Sequence, residues 1–505
     1  MTTTPTGAAS IVTPPRAAVG HDGIAPVPEA ERTSSPADFG WIWPSAQFSF
    51  GTVVLGALPV VFGLGWWASA SAIAVGVAVG SLLLAPLARF GVRTGANDPL
   101  ASGAHFGVRG RIVGNVITVV TALGFFAIAV WTGGTAVMVA GHRLLSTPTG
   151  PGALTVAMGV TAAAVALVAV RGHETLVRTY RVTAITGGIV LLGTVLVLAP
   201  RFDAGFAGHA AQAGGTLALG SALHTWLLAA TAAAAMPLSY ATFQGDYTRF
   251  MPSGTSTGRV VRASGISMFL SSLAALLTGA YVTTLFPVPD VPWLQGLTDA
   301  VPGWFAVAVV VFGFAGTLPQ AGLCLYAAGL SANSVFWRAS RAGVTAVVAL
   351  LAAAVLYVGA VVYDAMDAMS AFVTLLLTVV APWAAVLSVG YVLHRGRYDA
   401  EALRTFTTGG GGRYWYAHGV NPRAAAAFAA GSAVGLLWVN NPLYTGPLTG
   451  LTDGVDLSLP ASFAVAAALY AALCRVWPEP LLPPHPPSFP GPGRATAPPR
   501  GDTWP

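Results

Sequence analysis

The sequence predicts an all-α polytopic membrane protein, and three observations carry that prediction. Of its 505 residues 55% are hydrophobic and only 8% charged, against about a quarter charged in soluble domains. The apolar residues gather in twelve stretches, near 45–65, 68–90, 112–141, 152–170, 182–200, 222–243, 262–286, 303–333, 344–363, 368–393, 422–440 and 458–477. Each is about 20 residues, enough for a helix to cross a ~30 Å hydrocarbon core. Only helices and closed barrels satisfy their backbone in lipid, and the runs lack the two-residue alternation of a barrel strand. The third observation is the placement of the 24 basic residues, all arginine. With the stretches threaded as alternating crossings, every arginine except Arg143 and Arg201 falls on one side. The positive-inside rule makes that side cytoplasmic, giving twelve spans with both termini inside. One missed span would invert the side of every later arginine, so the asymmetry also supports the span assignment. The net charge of +6 is then a topology signal, and no nucleic-acid partner is implied.

The elements follow in order. Residues 1–40 are rich in Thr, Pro, Ala and Ser with no apolar run before a cleavage site, and read as a disordered cytoplasmic tail. Residues 41–478 form the transmembrane domain. Its first stretch carries Gly51, Gly56 and Pro59. The sixth carries Pro237, with Gly245 near its end, and the eighth carries Gly313, Gly316, Pro319 and Gly322. Loops are short. The longest inner one, His394 to Pro422, holds Gly409 to Gly412; with no preceding strand and no following lysine it reads as a linker, not a phosphate loop. Outer loops carry Asp290, Asp299, Asp364, Asp367, Asp453 and Asp456, to which no catalytic role is given. Cys324 and Cys474 lie in helices and suggest neither a disulfide nor a metal site. Residues 479–505 are Pro-rich and read as a second cytoplasmic tail.

The spans hold no Asp, Glu, Lys or Arg away from their ends. That disfavours a carboxylate-based proton pump and a voltage sensor. An intramembrane hydrolase would need a nucleophile or acid–base cluster at depth, so the chain does not read as an enzyme. Neutral polar and aromatic groups remain: Gln47, Ser49, Thr52, Phe125, Trp131, Ser239, Tyr240, Gln244, Thr317 and Gln320. Amides with paired donor and acceptor, together with aromatic faces, suit a neutral planar hydrogen-bonding solute. Each polar group can equally bridge two helices or bond a carbonyl one turn back. Helices one and six correspond in a five-plus-five inverted repeat, and transporters of that design bind substrate where such helices are broken. A channel would be expected to show a selectivity ring, and none is visible.

Four local patterns together resemble the nucleobase:cation symporter-1 family, in its purine–cytosine permease branch. They are the opening helix from Trp43 to Gly56 with Phe62–Gly65 after it, the inner loop Arg93-Thr-Gly95 leading to His105-Phe-Gly-Val-Arg-Gly110, the run Ser239 to Pro252 similar to "SWxxxxxDYxRYxP", and Gly322 to Ser331 similar to "GLxLYxxGL". The resemblance implies a LeuT-like fold: two inverted repeats of five helices plus two peripheral helices. It implies alternating-access import across the plasma membrane of a nucleobase or related heterocycle, coupled to H+ or Na+, with no cofactor and no obligate protein partner. Aromatic side chains of helices three and six would sandwich the ring, which places Phe125 and Tyr240 there. Ala129 stands where helix three has an amide in relatives, and Pro237 stands where others have an aromatic. Ser239 keeps a hydroxyl beside Tyr240. Gln47, Ser49 and Gln320 would read the edge of the ring, while Ala321 and Cys324 stand where Asn is common. With fewer amides than a cytosine pocket, the site suits a planar heterocycle more securely than cytosine itself; a carrier for thiamine, pyridoxine, hydantoin or allantoin is the alternative. Thr317 is the one hydroxyl placed for a cation. Tyr180 stands where proton-coupled relatives carry Glu, and His173 is the nearby group that titrates near neutral pH. Asp246, with Arg249, either gates the inner end of helix six or caps it.

Overall fold

The computed structural model describes residues 27–479 apart from 171–172, 209–210, 212–215, 287–292, 337–340, 360–364 and 404–410. The tail expectations for residues 1–26 and 480–505 fall outside these, as do Asp290, Asp364, Gly409, Gly410 and the side chain of His173. A helix lies over each of the twelve apolar stretches. In chain order they are α1 (Phe39–Gln47) with α2 (Phe50–Leu55), α3 (Trp66–Leu84), α4 (Ile112–Leu145), α5 (Pro151–Val170), α6 (His173–Leu198), α7 (Ala222–Ser239), α8 (Thr257–Thr283), α9 (Gly303–Ala315) with α10 (Thr317–Val335), α11 (Arg341–Tyr357), α12 (Ala365–Leu393), α13 (Pro422–Trp438) and α14 (Ser458–Val476).

Eight continuous runs among the described residues are long and apolar enough to cross a membrane, and the bent pair at the first stretch makes a ninth. The other three stretches, over α5, α11 and α13, are not among these nine. The bend at the first stretch is 68°. It is set by Ser49, whose extended backbone and side chain cap α2 by accepting from the Thr52 N–H. A capped N-terminus stops α1 from propagating through. The break therefore falls at Phe48–Ser49, ahead of the Gly51, Gly56 and Pro59 that signalled it in the sequence.

Close helix contact depends on small residues. A Cβ on Gly279 of α8 would collide with the Val53 carbonyl of α2, and one on Gly56 would meet the Leu276 carbonyl. Gly76 and Gly80 of α3 meet Ala230, Ala233 and Ala234 of α7 in the same way. This is the small-residue packing that lets helix backbones approach without a hydrophobic driving force in lipid. On the side assigned to the exterior, Arg143 pairs with Asp299 and the Arg201 guanidinium donates to the Ala300 carbonyl at 2.7 Å. The two exceptional arginines thus meet the same third segment, at Asp299 and Ala300.

The described part of each expected tail packs into the fold. Val27 donates its N–H to the Gly95 carbonyl at 2.8 Å, Arg32 donates to Val27, and Ser253 donates to Glu29. The fold therefore includes residues from Val27 on, where the sequence placed a disordered tail up to residue 40. At the other end Glu479, expected as the first residue of the C-terminal tail, is 9% exposed.

Candidate functional site

Four segments converge at the break between α1 and α2. The α2 segment runs against α4, where a Cβ on Gly51 would lie 3.1 Å from Ile128 Cγ2. Helix α7 contains Pro237 and stops at Ser239, giving way to a 3-10 turn, Tyr240–Thr242, and a short helix, Gln244–Thr248. The α9–α10 pair is joined at Gly316, so that Thr317 opens α10. Two broken helices and a jointed one therefore face α4.

The structure brings Phe125, Tyr240 and Gln320 together. The Phe125 and Tyr240 rings have centroids 5.7 Å apart at 33°, and Gln320 Nε2 donates to the Tyr240 hydroxyl at 3.4 Å. Trp43 meets Tyr240 edge-on at 5.7 Å and Phe372 meets Phe125 edge-on at 5.6 Å. Neither Trp43 nor Phe372 was singled out as a site residue. Trp43 opens the first motif and could have been found there; Phe372 carries no signal beyond being aromatic. A planar ring held between two others needs roughly 7 Å between the outer rings, two carbon contacts of about 3.5 Å. The Phe125–Tyr240 spacing is instead that of direct ring contact, so the pair must part to accept a planar solute.

The amides are the more informative groups. Gln47 is fully buried, and among the described residues neither its Oε1 nor its Nε2 has a hydrogen-bond partner; Gln320 Oε1 is likewise unpartnered. A buried polar group left unpaired costs about 1–3 kcal/mol, so such groups in a native fold call for an explanation. The hydroxyls behave otherwise. Ser239 Oγ donates to the Met236 carbonyl at 2.7 Å, and Ser49 is engaged with Thr52. Thr317 Oγ1 donates to the Gly313 carbonyl at 2.8 Å and lies 3.3 Å from the Ala129 carbonyl. Ala129, fully buried, contributes backbone only. Gln244 Nε2 donates to the Leu84 carbonyl while its Oε1 accepts from Ser264, which also accepts from the Trp43 indole. That amide is fully used in holding α1, α8 and the end of α3 together. Trp131 lines an apolar cavity of about 110 Å³ between α4, α11 and α12, with Gly124, Ile128, Leu356, Met369 and Phe372.

Two carboxylates are buried at the inner end of α7. Asp98, in the loop before α4, accepts from the Gly245 N–H at 2.6 Å; its Oδ1 has no partner, and burial holds its carboxyl well above the usual range. Asp246 also has an unpartnered oxygen, and burial pushes its carboxyl up to about 6 against the opposing pull of Arg249. Asp246 and Arg249 thus act on one another electrostatically. Asp98 was not anticipated, because it lies outside every span. Tyr180 reaches the same end, its ring 6.3 Å from that of Tyr247.

Residues 26–460 match the family described as a permease for cytosine/purines, uracil, thiamine, allantoin. YxlA of Bacillus subtilis (strain 168), which bears the name of a purine-cytosine permease, is 25% identical over 458 residues, covering 89% of this chain and 94% of that protein. Among solved structures, Mhp1, a nucleobase-cation-symport-1 family transporter in a closed conformation with bromovinylhydantoin bound, aligns with a TM-score of 0.68 at 18% identity. That alignment covers 91% of this chain and 96% of Mhp1. A Na+-coupled sialic acid symporter aligns with a TM-score of 0.57 at 12% identity over 90% of this chain and 92% of that one. These likenesses show a shared fold.

Proposed function

This chain belongs to the cytosine/purine permease family, the nucleobase:cation symporter-1 group, and from that premise we propose that it imports a nucleobase or related planar heterocycle by cation symport and alternating access. The observation that carries this reading is two buried amides with unpartnered atoms: Gln47 at the break in the first helix, and Gln320, whose Oε1 is free while its Nε2 meets Tyr240 of the Phe125–Tyr240 pair. Amides supply both donor and acceptor to the edge of a heterocycle, and the rings supply faces once they part. Twelve spans with both termini cytoplasmic, arranged as two inverted repeats and two peripheral helices, accommodate all the apolar stretches, including those over α5, α11 and α13.

Ser49 and Ser239 hold the backbone at the two breaks, and Ala129 supplies backbone rather than an amide to the site. Thr317 is the candidate cation contact: its oxygen and the Ala129 and Gly313 carbonyls lie together. Asp246 and Arg249 set the charge at the inner gate, and the coupling ion is H+ or Na+. A second reading, a hydantoin-, allantoin- or thiamine-type substrate, follows from the same site, because Ala129 offers no side-chain amide and leaves fewer edges to be matched.

Uptake of labelled cytosine by cells expressing the chain, with purines, pyrimidines, hydantoin, allantoin, thiamine and pyridoxine as competitors, tests both. Saturable uptake blocked by one heterocycle class supports the proposal and selects between the readings. Absence of uptake and of competition by every member of the panel would remove it.

A further inference from the structure

Away from the broken helices, the inner ends of three distant chain segments meet in a cluster of metal-ligating side chains. His105 comes from the short helix Gly103–Phe106 between α3 and α4, His394 directly follows α12, and Glu479 lies three residues beyond α14. All three are buried, and one ligating atom from each lies within 4.8 Å of the other two. His394 Nε2 stands 2.8 Å from Glu479 Oε2, and the His105 and His394 rings are 4.9 Å apart at 88°.

The outward sides of these groups are held by other residues. His105 Nε2 pairs with the Tyr398 hydroxyl at 3.1 Å. Glu479 Oε1 accepts from the Tyr470 hydroxyl at 2.9 Å and from the Asn421 amide. Such outer hydrogen bonds orient ligating imidazoles and carboxylates in metal sites. They leave His105 Nδ1, which has only a long 3.4 Å contact to Tyr470, together with His394 Nε2 and Glu479 Oε2 as the inward-facing atoms. Nearby, Arg423 donates to the Asn421 side-chain Oδ1 and to the Pro478 carbonyl and lies over the Trp477 ring.

We propose that His105, His394 and Glu479 form a binding site for a divalent ion of the zinc class, which would staple the inner loop, the end of α12 and the C-terminal segment to one another. Two imidazoles and one carboxylate suit such an ion, with bonds of about 2.0–2.2 Å. Two ligands on a tetrahedral ion stand roughly 3.3–3.6 Å apart, so a pair separated by 4.8 Å must close by about an ångström through side-chain rotation. Binding replaces the His394–Glu479 hydrogen bond: the Nε2 proton moves to Nδ1 of a neutral ring or leaves an imidazolium for solvent. Neutral imidazoles and an ionised carboxylate are the forms that ligate, so binding of the ion releases any proton these groups carry. Water completes the coordination, or the Cys474 thiol, 3.6 Å from Glu479 Oε1.

The test uses the full chain in detergent, stripped by chelator and freed of any affinity tag. One equivalent of Zn2+ is expected to bind at micromolar concentration or tighter and to raise the thermal midpoint by several degrees, while Mg2+ does neither. Glu479→Gln and His394→Gln should each weaken Zn2+ binding at least tenfold. Should a variant fail to fold, Co2+ added to the wild-type chain decides: visible absorption of a four- or five-coordinate site is expected. A wild-type chain that binds no stoichiometric Zn2+ and gives no cobalt spectrum overturns the proposal. So does stoichiometric binding that both variants retain, since the ion then sits elsewhere.

Discussion

At the scale of single residues, Gln47 separates recognition from stability. Its amide has no partner among the described residues, so Gln47→Leu removes an unsatisfied group while keeping most of the volume. The folded, substrate-free chain should hold its thermal midpoint or gain about 1 kcal/mol, while apparent affinity for substrate falls at least tenfold; a purely structural glutamine would give the opposite result. Phe125→Ala and Tyr240→Ala should each abolish saturable uptake with surface expression retained. Intact uptake in both would remove the pair from the site. Asp246 offers a pH signature. Its carboxyl rises from 3.8 unfolded to about 6 folded, so the folded state binds the proton more tightly. Stability linked to this group is greatest below about pH 4 and declines as pH rises through 6. Thermal midpoints between pH 4 and 6.5 should therefore slope downward from this cause in the wild type, and Asp246→Asn should flatten that slope.

At the scale of elements, the broken first helix depends on its contact with α8. Gly279→Ala inserts a methyl against the Val53 carbonyl, and because backbone cannot yield as a side-chain tip can, a loss of about 1–3 kcal/mol is expected. A melting curve of the purified variant measures it, and an unchanged midpoint would mean that α2 does not rest on α8. The sequence made the helices legible because lipid demands long apolar runs whatever their neighbours. It also marked helices one, six and eight as interrupted. The residue at which the first one breaks was not legible, since Ser49 looks the same whether it caps a helix or lines a pocket. Gln47, Phe125, Tyr240 and Gln320 were readable as polar or aromatic groups in apolar runs. Asp98 and Glu479 were not. Loop carboxylates are ordinarily solvated, and only the fold buries these two.

At the scale of the whole molecule, topology is the property most open to test. With the buried Cys324 and Cys474 replaced, a cysteine at Thr452 should react with an impermeant thiol reagent in intact cells. One at Ser253 should react only after permeabilisation. Labelling of both from the same side would break the twelve-span arrangement. The arginine asymmetry makes the prediction firm: moving one loop across the membrane would carry several arginines with it, each at the energetic cost of opposing the positive-inside bias.

The touching rings of Phe125 and Tyr240 also bear on leakage. A carrier must return empty, and during that return its centre would otherwise be a file for water and small ions. Rings that close on each other when the solute departs act as a self-sealing stopper. Recognition and tightness then reside in the same two side chains. Shrinking either ring should make proteoliposomes passively permeable to the coupling ion in the absence of substrate, a fault that an uptake assay alone would register only as lost transport.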